Sequence, residues 1–326
     1  MNPRLEQIQH WLHVELGLAS GKLLPASADA SFRRYFRLYQ PGRSLIVMDA
    51  PPEHEDIRPF ERINRILEGH GVHVPHIHAS CAERGLMLLE DLGDTPYLAC
   101  LNEVSVDRLY DDAMATLLLI QTCPTEGLLA YDDELLLREM RLFDSWYLER
   151  HLGLRLGEED RKLLERVYAM LSERARAQPQ VFVHRDYHSR NLMVTDQRSP
   201  GVIDFQDAVV GPLTYDLVSL LRDSYIEWPE ERVMQWAGSF HQRVREAGLS
   251  DVVWATFRQD FDWMSAQRHL KVAGIFARLH HRDGKSGYLK DIPLTLRNLK
   301  KAVSPYPEFT EFSQWLETRL PHEAWA

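Results

Sequence analysis

Apolar positions spaced three and four apart open the chain. Leu5, Ile8, Trp11, Leu12 and Leu16 share one face of a helix near residues 3–17, which Gly17 ends. The period then falls to two. Lys22-Leu-Leu24, Phe32 to Tyr39 and Ser44 to Met48 read as short strands, and a helix from Ile57 to Glu68 stops at Gly69-His-Gly71. His76 to Ser80 and Gly85 to Leu89 add two more strands, and Glu90-Asp-Leu-Gly-Asp94 breaks the alternation. Beyond it helical spacing dominates, at about 105–122, 132–152, 158–177, 214–224, 229–247, 251–281, 290–303 and 306–320. The pattern predicts an α+β chain in two parts: a small antiparallel sheet with a leading helix over residues 1–93, and a mainly helical part over 94–326.

One stretch interrupts the helical half. Apolar Val181-Phe-Val183 reads as a buried strand that runs into His184-Arg-Asp-Tyr-His-Ser-Arg-Asn191. Leu192-Met-Val194 and Gly201-Val-Ile203 then read as a hairpin around the turn-rich Asp196 to Pro200. In a hairpin, Asn191 and Asp204 flank the open end, about 5 Å apart across the pair. An amide oxygen beside a carboxylate suits a hard cation such as Mg2+, which takes oxygen ligands and leaves positions for phosphate and water. Asp186, on the same loop, is placed to accept a proton from an attacking hydroxyl, the division of labour of kinase phosphoryl transfer. The plainer reading is a polar loop whose Asp and Asn cap turns. It leaves the buried strand, the hairpin and Ile203-Asp-Phe205 as coincidences.

Composition narrows the partners. With 326 residues, 44% hydrophobic and 26% charged, the chain can bury one large core or two moderate ones. A net charge of -10 argues against a general nucleic-acid binder and against a basic membrane surface. Cys81, Cys100 and Cys123 are scattered, which suggests neither a disulfide framework nor a zinc site. The first residues lack the apolar core of a signal peptide, and no apolar run approaches the roughly 18 residues of a membrane span. A cytoplasmic monomer acting on small molecules is the expectation.

The loop and its return strand resemble the catalytic and metal-binding loops of the aminoglycoside phosphotransferase-like kinases, relatives of the eukaryotic protein kinases. The resemblance implies a two-lobed kinase-like fold with ATP between the lobes. It makes Asp186 the catalytic base and Asn191 and Asp204 the holders of Mg2+. Asp216, in Pro212-Leu-Thr-Tyr-Asp216, would brace the catalytic loop through its backbone, and His184 would support the same loop. The hinge backbone around Glu90 and Leu92 would meet adenine. Two positions depart from the family pattern. Met48 stands at or next to the strand lysine that grips phosphate, and Phe60 stands about where its helical Glu partner belongs, so an apolar Met–Phe contact is expected in place of the ion pair. Phosphate would then be met by Ser31, by the Phe32 and Arg33 amides, and by the charge of Arg33 or Arg34. The alternative is a surface hairpin with solvated arginines.

The acceptor is read from the segment Arg268 to Lys285, with five Arg or Lys against one Asp. If part of it faces the acceptor, a neutral or anionic substrate fits better than a polycationic aminoglycoside; otherwise it is a solvated basic face. Val47 to Asp56, Arg138 to Tyr147 and Gln267 to Arg278 resemble the anomeric sugar kinases that act on N-acetylmuramate and N-acetylglucosamine in peptidoglycan recycling. On that resemblance the acceptor is an amino sugar whose C1 hydroxyl meets Asp186. His188, Arg268 and Lys271 are substrate candidates, with Arg278; Trp146 and Tyr147 could stack on the pyranose face, but aromatics in a helix more often pack in the core. Other small-molecule kinases of the family, acting on aminoglycosides, choline or other sugars, stay open. So do a metal-dependent hydrolase built on His184, Asp186, His188 and Asp204, and a non-catalytic kinase-like binding protein.

Overall fold

The computed structural model describes residues 3–19, 21–28 and 33–325, so Ser31 and Phe32 lie outside the described residues. The fold is α+β in two compact units, Met1–Thr95 with Met193–Asp207, and Pro96–Leu192 with Ala208–Ala326.

In the first unit, the amphipathic face of residues 3–17 becomes a helix, Pro3–His10, that widens into a π-helical turn, Trp11–Glu15. Gly17, at φ +63°, ends it in a conformation that costs other residues more. The two-residue alternation produces five strands, Lys22–Ala28, Arg34–Gln40, Arg43–Asp49, Leu86–Glu90 and Ile77–Cys81, adjacent in that order and all antiparallel. Ile8, Trp11 and Leu12 pack on one face of this sheet against Leu38, Leu45, Val47, Leu86 and Leu88. Each such side chain contributes about 2 kcal/mol by leaving water. The helix Arg58–Gly69 turns Phe60, Ile63, Asn64 and Leu67 inward.

The strand that follows the kinase pattern is Arg43–Asp49. Met48 is fully buried on it, opposite Tyr35 and Met87. The buried charge of this strand comes one residue later and is negative. Asp49 is sealed from solvent and paired with Arg34 and with Arg4, whose Nε lies 2.8 Å from Asp49 Oδ1. The pair fastens the leading helix to the sheet. Phe60 meets the ring of Phe205, the residue after Asp204, at 4.7 Å between centroids.

Residues 193–207 group with this first unit, whereas the sequence pattern had assigned them to the helical part. Backbone and packing contacts explain the difference. Val202 N donates to His73 O at 2.7 Å, Val194 N to Thr95 O at 2.9 Å, and a Cβ at Gly201 would strike Leu92. Pairing across a chain this long leaves no mark in local periodicity.

The second unit is built on a 30-residue helix, Trp254–Asp283, buried along most of its length. Asp133–Leu142, running on into the π-helical Phe143–His151, packs beside it. Gly274 permits this approach, because a Cβ there would lie 2.3 Å from the carbonyl carbon of Leu142. A small sheet, Leu129–Ala130, Val209–Pro212 and Gln180–Val183, was not foreseen beyond its last strand. The two missed strands are short and pair only through tertiary contact.

Candidate active site

Strand Gln180–Val183 ends, buried, at His184, and helix Tyr215–Leu221 begins beside it. The junction is made by one carboxylate. Asp216, fully buried, accepts the backbone N–H of His184 at 2.6 Å and of Arg185 at 3.0 Å. Arg185 is held at φ +78°, a conformation unfavourable for a residue with a Cβ. Its carbonyl accepts Arg268 Nη1 at 3.0 Å, and its guanidinium pairs with Glu139. The chain therefore enters the loop through a strained residue clamped on three sides, which fixes where Asp186 follows.

The loop also braces itself. Asp186 N donates to His184 Nδ1 at 3.2 Å, which makes that nitrogen an acceptor and places the ring proton on Nε2. The Asp186 carbonyl accepts from His188 N at 3.0 Å and from Asn191 Nδ2 at 3.0 Å. Ser189 N donates to Asp223 at 3.0 Å, and Tyr187 sends its hydroxyl to Ala113 O at 2.8 Å. Because the amide nitrogen of Asn191 is turned to the backbone, its oxygen points the other way.

Arg268 and Lys271 belong to a buried group behind this loop and do not lie on a basic surface. Lys271 Nζ reaches Tyr215 Oη at 2.9 Å and Glu139 Oε1 at 3.2 Å, and Arg268 reaches Tyr215 Oη at 3.3 Å. Tyr131 donates to Glu139, and its ring lies 5.2 Å from that of Tyr215. The expectation of a solvated basic face is corrected here, since Arg268 and Lys271 are buried and act on Asp186. The helix is enclosed on most sides, so these cations face carboxylates and phenols of their own unit. Sequence reading missed Glu139 and Tyr215, whose only local signal is a polar residue on the inward face of an amphipathic helix. Tyr147 is likewise packed away, stacked on Phe143 at 5.4 Å, and Trp146 is partly exposed.

The cations act on the Asp186 carboxyl electrostatically. Burial raises the Asp186 pKa, but Lys271, Arg268, His188 and Arg185 together outweigh it and hold the group below the usual aspartate range. A lowered folded-state pKa means that ionisation stabilises the fold above the unfolded value of about 3.9, and that this contribution is lost as pH falls through the folded value. The Asp186 carboxylate thus stays ionised well below neutrality. Lys271→Met removes the strongest of the lowering charges, so the acid limb of kcat measured at saturating ATP should move to higher pH. An unmoved limb would show that Lys271 does not set this charge.

In the first unit, Asp204 sits at φ +65° and accepts Gln206 Nε2 at 2.9 Å. Arg33 lies 3.9 Å from its Oδ1 with little exposure, so Arg33 is the arginine beside that carboxylate. Arg34 is the one paired with Asp49. Glu90 donates its backbone N–H to His76 O at 2.8 Å, and Leu92 is buried against Gly201. That N–H is therefore already engaged within the first unit. An amide oxygen and a carboxylate are hard donors, and Asn191 and Asp204 fit Mg2+ in type. Among the described residues no group of three His, Cys, Asp or Glu is arranged to hold a metal ion, and His184 turns Nδ1 to the backbone. The hydrolase reading loses its ligand set. No helix among the described residues is long and apolar enough to cross a membrane.

Comparison with known proteins agrees with this chemistry. Residues 22–250 match the model of a phosphotransferase enzyme family. An N-acetylmuramate/N-acetylglucosamine kinase of Pseudomonas aeruginosa is 45% identical over 333 aligned positions, covering 98% of both chains. A protein of the same name from Pseudomonas putida is 44% identical over 323, covering 95% of both. Among solved structures, an ethanolamine kinase of Plasmodium vivax superposes with a TM-score of 0.63 at 11% identity, over 95% of this chain and 88% of that one, a likeness of fold alone.

Proposed function

Because the chain belongs to the phosphotransferase enzyme family, we propose that it is an ATP-dependent kinase that phosphorylates the anomeric hydroxyl of N-acetylmuramate and N-acetylglucosamine. The observation that carries the acceptor is the identity of 44–45% along nearly the whole chain to two kinases named for these sugars. Likeness at that level runs through the helical unit as well as the loop from His184 to Asn191.

In this reading Asp186 orients the C1 hydroxyl and takes its proton as the sugar oxygen bonds to the γ-phosphorus. The bond between that phosphorus and the β,γ-bridging oxygen breaks, and ADP leaves with the electron pair. Asn191 and Asp204 are assigned to Mg2+, which offsets phosphate charge when bound, and Arg33 is assigned to the phosphates. Met48 cannot supply the cation that a strand lysine gives, so these residues carry that part. His184 and Asp216 are positioning residues, since each acts through the loop backbone. The product is a sugar 1-phosphate, suited to a nucleotidyltransferase in recycling of the cell wall. A cytoplasmic monomer completes the proposal.

Phosphorus NMR of ATP and Mg2+ incubated with the protein and N-acetylmuramate, N-acetylglucosamine, choline or an aminoglycoside tests this reading. An anomeric phosphate split by the C1 proton is expected with the two amino sugars. A C6 phosphate or phosphocholine as the only product would overturn it.

A further inference from the structure

Two residues after His188, and within the same unit as Asp186, begins a pair of complementary charges that stand apart without touching. Arg190 Nη2 lies 4.0 Å from Asp291 Oδ2. That separation is too long for a hydrogen bond. Asp291 Oδ2 is buried and has no hydrogen-bond partner. It stands at the start of helix Ile292–Val303, where an aspartate ordinarily accepts a backbone N–H, yet its side chain caps nothing. The Arg190 guanidinium lies over the ring of Tyr225, 3.6 Å from its centre, with Tyr288 at 5.7 Å. Tyr288 stacks on Phe276 at 5.4 Å and is itself partly exposed. His188 packs edge-on to Tyr225 at 5.4 Å, and its Nδ1 is a second buried atom without a partner.

A buried carboxylate oxygen left unsatisfied costs free energy that a native protein rarely leaves uncompensated. The gap determines what can compensate it. A group placed between Arg190 and Asp291 must accept from the first and donate to the second. A hydroxyl does both. Contacts of about 2.9 Å to nitrogen and about 2.7 Å to oxygen meet across such a gap at an open angle. A carboxylate would repel Asp291, and an ammonium would repel Arg190. Aromatic rings beside a hydroxyl clamp suit the apolar face of a pyranose.

We propose that Arg190 and Asp291 clamp a sugar hydroxyl of the acceptor, with Tyr288 against its ring, and so select a neutral polyol over a cationic acceptor. This rests on the amino-sugar reading above. The clamped group is the C4 or C6 hydroxyl, because C1 reacts and C3 carries the lactyl ether of N-acetylmuramate.

Steady-state kinetics of Asp291→Asn and Arg190→Gln test the clamp, using N-acetylglucosamine and its 4-deoxy and 6-deoxy analogues, with thermal unfolding as a check on folding. Each substitution is expected to raise KM for N-acetylglucosamine by about tenfold or more, with KM for ATP unchanged. One deoxy analogue should bind wild type weakly and show no further loss in either variant. The clamp is refuted if sugar KM stays unchanged, if ATP KM rises equally, or if both deoxy analogues keep the full penalty. A wild-type protein that phosphorylates neither amino sugar would instead refute the function on which the clamp rests.

Discussion

Asp186→Asn should lower kcat by about 10²–10⁴-fold while the protein stays folded. General-base catalysis supplies a factor of that order, and asparagine keeps the shape of the side chain but cannot take a proton. The fold should tolerate the change because the bonds that set this loop are made by backbone atoms. Asp186 N meets His184, and the Asp186 carbonyl holds His188 and Asn191, all of which survive the substitution. Stopped assays of ADP release with N-acetylglucosamine, alongside thermal unfolding, measure the two quantities separately. Turnover within threefold of wild type would remove Asp186 from the role of base. Loss of the unfolding transition would instead assign it a structural role.

Glu139→Ala should be the most damaging single change to stability, by about 3–5 kcal/mol. Glu139 faces two cations, Arg185 and Lys271, and accepts from Tyr131, and all of these are largely buried. Removing one partner of a buried pair leaves charge without compensation, and that penalty exceeds the modest net worth of the intact pair. Burial alone would raise the Glu139 pKa, but Lys271 and Arg185 lower it overall, so the charged form is the one to be replaced. Urea unfolding gives the loss, and the double variant Glu139→Ala with Lys271→Met should recover part of it. A destabilisation below about 1 kcal/mol would mean that the group is solvated and not buried. Because Arg185 precedes Asp186, kcat should fall as well, through misplacement of the loop rather than loss of the base.

The two halves of the protein differ in how far they could be read from the chain. Strands in the N-terminal unit alternate because one face of the sheet is buried, so Leu45 and Val47 announce themselves, as do the inward residues of helix Arg58–Gly69. The loop from His184 to Asn191 was legible because phosphoryl transfer needs particular side chains at fixed offsets on one short segment. The burial of Arg268 and Lys271 was not legible, for the opposite reason. A lysine looks the same in a sequence whether it meets water or Glu139, and which it meets depends on a helix more than a hundred residues away. Arg34 likewise turned to Asp49, and residues 193–207 joined the first unit, through contacts that no local window contains.

The chain by itself therefore determined most of its elements, its family and the loop from His184 to Asn191, since periodicity and motif spacing are local properties. Tertiary structure decided which charges are enclosed, which brace the loop through Asp216 and Glu139, and which, like Arg190 and Asp291, are left facing each other across a gap. The physical reason is burial. A charge is costly wherever water is excluded, and only the packed fold settles where that is and what compensates it.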